Sequence, residues 1–283
     1  MEKILTLRGL LFGAIGGFIA WIFMYVMAEP IIGRAIDYEE ARSEAMEALE
    51  HTHEAGGHSH GGEDELFTRS IQEGLGAGTG MVVLGLALGG ITAIIFALWM
   101  HYRSGAAAGR YALPVSGLAF AVFYLLPTLK YPANPPAVGN DDTIEARTGL
   151  FLLLIVLSAV AVLIGVFVRQ KLRARLGAGS MWAAAGVVIV LMIVIYAVMP
   201  QLGSLEANAG SGSSFETPGP VVDAEGHIIL EGFNADDLYQ FRLYSLIAQA
   251  IIFTSIAGGL TLAAKKIDAL RGIASRERAV VAA

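Results

Sequence analysis

Six apolar segments, separated by polar stretches, dominate the pattern of this chain. They lie at about residues 4–27, 75–100, 113–129, 149–168, 181–199 and 243–264. A helix needs about 20 apolar residues to cross the hydrocarbon core of a bilayer. The pattern therefore predicts an all-α integral membrane protein, a bundle of about six transmembrane helices in one polytopic domain over residues 1–283.

Two polar segments interrupt this pattern, at residues 28–73 and 200–241. In the first, Pro30 suits the opening turn of a helix, and residues 31–50 are predicted to form an amphipathic helix. In the second, short β-prone runs flank a turn sequence at residues 223–226, which predicts a small hairpin over residues 221–230.

Glycines recur at four-residue spacing in the first two apolar segments. Gly9, Gly13 and Gly17 form one series, and Gly85 and Gly89 belong to another. Small residues at this spacing allow helix backbones to approach closely in membranes. The stripes therefore predict helix packing, rather than a binding function.

Basic residues predict the orientation in the membrane. Of the 19 lysines and arginines, 13 flank the apolar segments on one side, whereas 22 of the 25 acidic residues lie on the other. Basic loops stay in the cytoplasm. Both termini are therefore expected inside, in a multi-pass protein of the cytoplasmic (inner) membrane, with residues 28–73 and 200–241 outside. An anionic outer face attracts cations, but it also simply keeps outer loops soluble.

Composition narrows the chemistry. The chain is 55% hydrophobic, 16% charged and has no cysteine, so disulfides and thiolate metal ligands are excluded. It has no phosphate-binding glycine loop, metal-hydrolase motif or nucleophile motif. We therefore expect no enzyme, no ATPase activity and no permanently bound cofactor, and nothing in the sequence indicates nucleic-acid binding.

A histidine-rich tract is the clearest candidate for metal capture. His51, His53, His58 and His60 lie among glycines and carboxylates. Imidazole and carboxylate groups suit divalent cobalt, nickel and zinc. Asp37 and Glu40, on the preceding predicted helix, extend this acidic surface. The alternative interpretations are a solvated helix face and a polar loop without a metal role.

A proline-rich loop is the best single candidate for a site. Pro127 cannot donate a backbone hydrogen bond and is expected to kink or end the third helix. The following residues should be extended and non-helical, as is tolerated in membrane proteins beside protein or a water-filled cavity. Asn134 and freed backbone carbonyls would offer oxygen ligands to a cation. A stiff helix connector is the alternative. The predicted gate or structural residues are Lys130, Tyr131, Pro132, Asn134, Pro135, Pro136 and Arg147.

Charged residues flank this loop. Glu29 closes the first apolar segment, where an ionisable group suggests a function. The alternative is a carboxylate that simply extends to the water at the membrane surface. Asp141 and Asp142, with Thr143, are predicted to cap a helix that starts near Ile144. Arg147 enters the next apolar segment and should pair with a carboxylate, because an unpaired charge is costly there. Glu29, Asp141 and Asp142 are the expected partners and further candidate metal ligands.

The proline loop also carries a resemblance to a known family. The run Leu129 to Pro136, with Thr143-Ile144 and Arg147-Thr148, resembles the signature of the CbtA family of predicted cobalt transporter subunits. Further similarities are Arg8-Gly9-Leu10, Glu29-Pro30, Ala35-Ile36 and Glu39-Glu40. The resemblance implies cobalt as the cargo, a link to cobalamin metabolism, and a small single-helix membrane partner similar to CbtB. The histidine tract is not part of the matching motif.

Together these observations predict uptake of a divalent metal, most specifically cobalt, by a transporter subunit embedded in the lipid bilayer. Without an ATPase, an ion or voltage gradient or a partner would drive the movement. An inside-negative potential is worth about 2.3 kcal/mol per charge per 100 mV. The alternative is a non-transporting membrane subunit that assembles with, or regulates, a metal transporter.

Overall fold

The computed structural model describes residues 2–53, 72–102, 108–208 and 217–281. Helices dominate these residues, and the only strands among them form one two-stranded sheet, so the predicted all-α class is confirmed. The chain divides into two compact units. The first contains the described residues of Met1–Glu29, Glu63–Ala121 and Tyr244–Ala283, and the second those of Pro30–Gly62 and Val122–Leu243.

Five stretches of the described residues are long and apolar enough to cross a membrane, and the protein is a multi-pass membrane protein. Each predicted apolar segment lies within helical residues, except that the fifth extends one residue beyond the end of its helix. The fourth stretch contains two of the predicted apolar segments. The chain turns between them at Gly177, whose φ of +52° favours glycine. The stretches are Glu2–Met27, Gly74–His101, Gly109–Lys130, Ile144–Ser204 and Ala235–Ala269.

The first unit is built on close packing between α1 (Glu2–Met27) and α3 (Ala77–Tyr102). A Cβ atom added at Gly13 would lie well within the van der Waals contact distance of the Gly85 carbonyl oxygen, and one added at Gly9 would meet the Gly89 carbonyl oxygen in the same way. The predicted packing role of these glycines is confirmed. Gly80, in contrast, has open space around it. The first unit also contains α4 (Ala112–Phe120) and the part of α8 (Ala235–Val281) from Tyr244 onward.

The second unit contains a helical hairpin of α6 (Ile144–Leu176) and α7 (Ser180–Val198). Gly165 on α6 lies against Ala184 and Val188 on α7, so the two helices run antiparallel. Apolar side chains fill the interface between them and the proline loop. The buried members of this cluster are Tyr131, Leu154, Ala161, Met192 and Met199.

The expected effect of Pro127 on the third helix is only partly correct. The helix does not end there, because α5 (Leu126–Lys130) carries Pro127 in its first turn. The preceding turn, Ala121–Leu125, is a π-helix. A π turn bonds residues five apart instead of four, and such turns commonly occur where the regular hydrogen-bond ladder is interrupted. The irregularity therefore lies before the proline rather than after it.

The polar segments contain the two predicted elements. Helix α2 (Glu29–His53) covers the expected amphipathic region, and β1 (Val221–Val222) pairs antiparallel with β2 (Ile228–Leu230). The hairpin turn is organised by Asp223, whose Oδ1 accepts hydrogen bonds from the backbone N–H groups of His227 and Glu225. These hydrogen bonds, that from His227 first, hold the pKa of Asp223 below its usual value.

Candidate functional site

The proline loop is non-helical, as the sequence predicts. Helix α5 ends at Lys130, and the residues from Tyr131 to Pro135 have no regular secondary structure. The loop then turns through Pro136 and Ala137, with the Val138 amide donating to the Pro135 carbonyl at 3.2 Å. Ala137 adopts a φ of +67°, a conformation that L-residues other than glycine, asparagine and aspartate rarely take. The loop therefore holds a tight turn at some conformational cost.

Tyr131 anchors the start of the loop. Its side chain is buried in the cluster between α6 and α7, and its hydroxyl donates a 2.9 Å hydrogen bond to the carbonyl of Pro200. Burial raises the pKa of Tyr131, because the charged phenolate is penalised away from water. One turn earlier, the hydroxyl of Tyr196 on α7 donates to the Leu126 carbonyl. These two tyrosines attach the end of the third helix to the α6–α7 hairpin.

Arg242, on α8, holds the centre of the loop. Its Nε donates to the Ala133 carbonyl at 3.1 Å, and its Nη2 donates to the Asn134 side-chain oxygen at 2.8 Å. These are the types of oxygen that the sequence analysis offers to a cation. Here they accept hydrogen bonds from a guanidinium group, which would repel a bare divalent ion placed at the same oxygens.

A cavity of about 360 Å³ opens beside the loop. The loop residues Tyr131, Pro132 and Asn134 line it together with residues of the first turns of α6. Arg147 is the one charged side chain among the described residues that line it. The guanidinium of Arg147 also lies close to Gly139, where an added Cβ would be 3.0 Å from Nη1. The carboxylate partner predicted for Arg147 stays a prediction.

The far end of the loop is fixed by Asn140. Its Nδ2 donates to Asn208 at 3.0 Å, and its side-chain oxygen accepts from the Asp142 backbone N–H at 3.1 Å. Helix α6 begins at Ile144 as predicted, but Thr143 makes no side-chain cap hydrogen bond. The predicted cap is displaced because Asp141–Thr143 form a 3₁₀ turn ahead of α6, and Asn140 caps that turn. Asp142 itself is exposed.

Helix α2 is attached to residues on both sides of the hairpin, from Gly219 before it to Asp237 in the first turn of α8. Arg34 forms a two-pronged ion pair with Asp237, with distances of 2.8 and 2.6 Å. Arg42 donates to the Gly219 carbonyl at 2.8 Å, and the ring of Tyr38 packs edge-on against Phe233 at 5.5 Å. The side-chain hydrogen bond to Asp237 raises the pKa of Arg34 further. The first two-thirds of α2 therefore has a fixed position in the second unit.

The predicted metal ligands are only partly described. Asp37 and Glu40 are exposed on α2, and Glu29, its first residue, is half-buried. His51 and His53 lie in the last turn of that helix, but their side chains, like that of Asp141, are outside the described part of the chain, as are His58 and His60 entirely. Within the described part of the chain, no three histidine, aspartate or glutamate side chains lie close enough together to hold a metal ion.

A family model described as "Probable cobalt transporter subunit (CbtA)" matches residues 2–265. The chain belongs to the CbtA family. The match covers nearly the whole chain, so all five candidate spans lie within it except the last four residues of the fifth. The matched residues include the proline loop that carries the resemblance. Searches of curated proteins and of solved structures find no match to this chain.

The sequence analysis did not predict the contacts of three residues that hold the candidate site and α2 in place: Arg34, Asp237 and Arg242. The available signal was weak. Arg242 opens the last apolar segment as Arg147 opens the fourth, but nothing in the sequence connects Arg242 to a loop 108 residues earlier. Arg34 and Asp237 are 203 residues apart, and each lies among other charged residues.

Proposed function

We propose that this chain is the membrane-embedded uptake subunit of a cobalt transporter in the inner membrane. The observation that carries the proposal is the family match over residues 2–265. The family description names a transporter subunit, which is not an enzyme class. The chain's helices, which are long and apolar enough to span a membrane, fit that role.

Ion capture is assigned to α2 and the tract that follows it. Asp37 and Glu40 are exposed on this helix and would raise the local concentration of cations. His51, His53, His58 and His60 would supply imidazole nitrogens, which suit divalent cobalt. Because contacts of Arg34, Tyr38 and Arg42 hold α2 in place, the histidine tract would start from a fixed position.

Entry into the membrane is assigned to Glu29, with Asp141 and Asp142 as further carboxylates. A half-buried carboxylate at the end of an apolar helix attracts a cation more strongly than one in bulk water, because the surroundings are less polarisable. Lys130 and Arg147 are cations, so we assign them structural roles rather than ligand roles.

Energy would come from an ion or voltage gradient. For a divalent cation, an inside-negative potential of 100 mV supplies about 4.6 kcal/mol, twice the value for a single charge. The subunit description supports a partner, and we propose a small single-helix membrane protein similar to CbtB.

The test is cobalt, nickel and zinc accumulation in cells that lack their own cobalt importers. The cells express the full chain, Glu29→Gln, or a variant with all four tract histidines changed to asparagine. Glu231→Gln, an exposed carboxylate beyond the hairpin, is the matched control. We expect cobalt to rise with the intact chain and the control and to fall with Glu29→Gln. The histidine variant should lose uptake only at low external cobalt.

Two outcomes separate the alternatives. Uptake only when the partner is co-expressed would still support a transporter subunit. No uptake with the partner present, from a chain that is inserted and folded, would overturn the uptake role and favour the assembly subunit.

A further inference from the structure

Four basic residues lie at the end of α6 that leads into the turn to α7. They directly follow the predicted apolar segment at residues 149–168, and they are Arg169, Lys171, Arg173 and Arg175. Basic residues next to a membrane helix lie at the depth of the lipid headgroups. The sequence has no aspartate or glutamate between Glu145 and Glu206, so the α6–α7 hairpin supplies no carboxylate at this end.

The other described side chains do not neutralise these charges. Within the described ranges, none of the four basic residues forms an ion pair with a carboxylate. Lys171, Arg173 and Arg175 are exposed, whereas Arg169 is half-buried. Residues four apart are neighbours on a helix surface, so Lys171 lies beside Arg175, and like charges at this spacing repel each other. An anion bound between these two residues would relieve the repulsion.

An exposed apolar stripe leads along α6 to Lys171. Its side chains recur every three or four residues, which places them on one face of the helix. They are Leu152, Val156, Val160, Leu163 and Phe167. The Lys171 ammonium group lies back over this stripe, 5.4 Å from the centre of the Phe167 ring. A soluble anion would leave the stripe uncovered, whereas the acyl chain of a lipid would cover it.

The second basic pair, Arg169 and Arg173, begins at the helix interface instead. Gly165, one turn before Arg169, is buried against Ala184 and Val188 on α7. The preference of basic residues for one side of the membrane accounts for both pairs. Only the pair of Lys171 and Arg175 continues the exposed apolar stripe, so only this pair offers one molecule both charge and apolar surface.

We propose that Lys171 and Arg175 bind the phosphate of an anionic phospholipid, whose acyl chain lies along the α6 stripe. The lipid belongs to the bilayer leaflet at this end of the helix, so its headgroup and the two cations lie at the same depth. Two neighbouring cations attract a lipid of net negative charge more strongly than a zwitterionic one. The site lies beyond the proposed uptake function, because it concerns a lipid that the hairpin recognises and not the path of an ion.

The test uses the full chain, purified in neutral detergent with bound lipid removed, and native mass spectrometry during titration with phosphatidylglycerol. The double variant Lys171→Gln/Arg175→Gln should bind this lipid roughly twentyfold more weakly, since each cation near an anionic headgroup contributes about fivefold. The matched control is Arg169→Gln/Arg173→Gln, which removes the same charge from the same part of α6. Its effect on the affinity should be much smaller.

Two further ligands identify what is recognised. Phosphatidylcholine has the phosphate and the chains but no net charge, and glycerol 3-phosphate has the phosphate without the chains. Both should bind at least about tenfold more weakly than phosphatidylglycerol. These comparisons use the unmodified chain, so they decide the result if Lys171→Gln/Arg175→Gln fails to fold.

The proposal is overturned if the two double variants lose the lipid equally, because binding would then follow the total charge and not this pair. It is also overturned if phosphatidylcholine binds as tightly as phosphatidylglycerol, which would indicate a general lipid contact. Glycerol 3-phosphate that binds as tightly as the whole lipid would overturn it as well, in favour of a soluble anion.

Discussion

Arg242 donates a 2.8 Å hydrogen bond to the side-chain oxygen of Asn134, and a second hydrogen bond to the neighbouring Ala133 carbonyl. One guanidinium thus holds two acceptors of the proline loop. Proline-rich backbone has few amide donors of its own, so an external donor is an effective way to satisfy the loop carbonyls.

The first prediction concerns this contact. Arg242→Gln should lower the free energy of unfolding by about 1–3 kcal/mol, because two hydrogen bonds from a charged donor are lost. Arg242→Lys should recover only part, since one ammonium cannot reproduce the two-pronged geometry. Thermal unfolding in detergent measures the effect. Lys266→Gln, at an exposed position on the same helix, is the control. If Arg242→Gln unfolds at the same temperature as the wild type, the stability of the loop does not depend on this contact.

The second prediction concerns the attachment of α2. The Arg34 side chain is 50% exposed and that of Asp237 is 16% exposed, so solvent screens the pair. A double-mutant cycle with Arg34→Gln and Asp237→Asn should give a coupling free energy of about 1 kcal/mol or less, but above zero because the geometry is two-pronged. The same cycle with Asp236→Asn should give none. Equal values in both cycles would argue against a specific pair.

The third prediction is a pH dependence. Burial raises the pKa of Tyr131 above its ordinary value of 10.0, so the folded state holds that proton more tightly than the unfolded state. The resulting stability is fully present below the unfolded pKa and is lost as the pH rises through the folded pKa. Ionisation would also remove the donor to Pro200.

Tyrosinate absorbance and unfolding temperature, followed together at alkaline pH, measure this effect. Tyr131→Phe should reduce the part of the absorbance change that occurs above the ordinary tyrosine pKa, and should reduce the alkaline loss of stability. Tyr239→Phe, at an exposed tyrosine, should leave the alkaline loss of stability unchanged. If the unfolding temperature falls identically with alkaline pH in the wild type and in Tyr131→Phe, ionisation of Tyr131 is not the cause of the loss of stability.

The fourth prediction tests the α1–α3 contact. Gly13→Ala should destabilise the protein by about 1–3 kcal/mol, the usual effect of forcing a methyl group into a filled interface. Gly80→Ala, at a helix position with open space, should be neutral or slightly stabilising. Unfolding in detergent again provides the comparison. Equal stability of the two variants would mean that α1 and α3 separate at little cost.

Much of this fold is predictable from the sequence, for a simple reason. Apolar runs of membrane length leave the backbone no alternative to a helix, so each of the six predicted segments lies on a helix, although several of these helices extend well beyond the segment. The glycine stripe of α1 was equally clear, because Gly9, Gly13 and Gly17 fall on one face. The hairpin at residues 221–230 followed from its turn sequence.

The site was predictable only in part. The loop and Arg147 stand out locally, through proline content and a charge in an apolar run. The contact between Arg242 and Asn134 depends on how distant segments pack, and no local pattern encodes that. The cap of α6 was misplaced for a smaller reason: the 3₁₀ turn moved the capping role back to Asn140, beyond the expected acidic pair.

The π turn before Pro127 determines which residue enters the interior at the end of the third helix. Successive buried positions along this stretch are three or four residues apart, except that five residues separate Val122 from Pro127. They are Ala112, Ser116, Ala119, Val122, Pro127 and Tyr131. An α-helix rotates by about 100° per residue, so one additional residue shifts everything after it by that angle.

If residues 121–125 formed a regular α turn with no residue lost, the inward positions after Val122 would fall four residues apart, and Lys130 would take the inward position that Tyr131 now occupies. The wall of the cavity would then carry an ammonium group in place of a phenol ring. The extra residue in this single π turn therefore determines whether a charged or an uncharged side chain faces the cavity beside the loop.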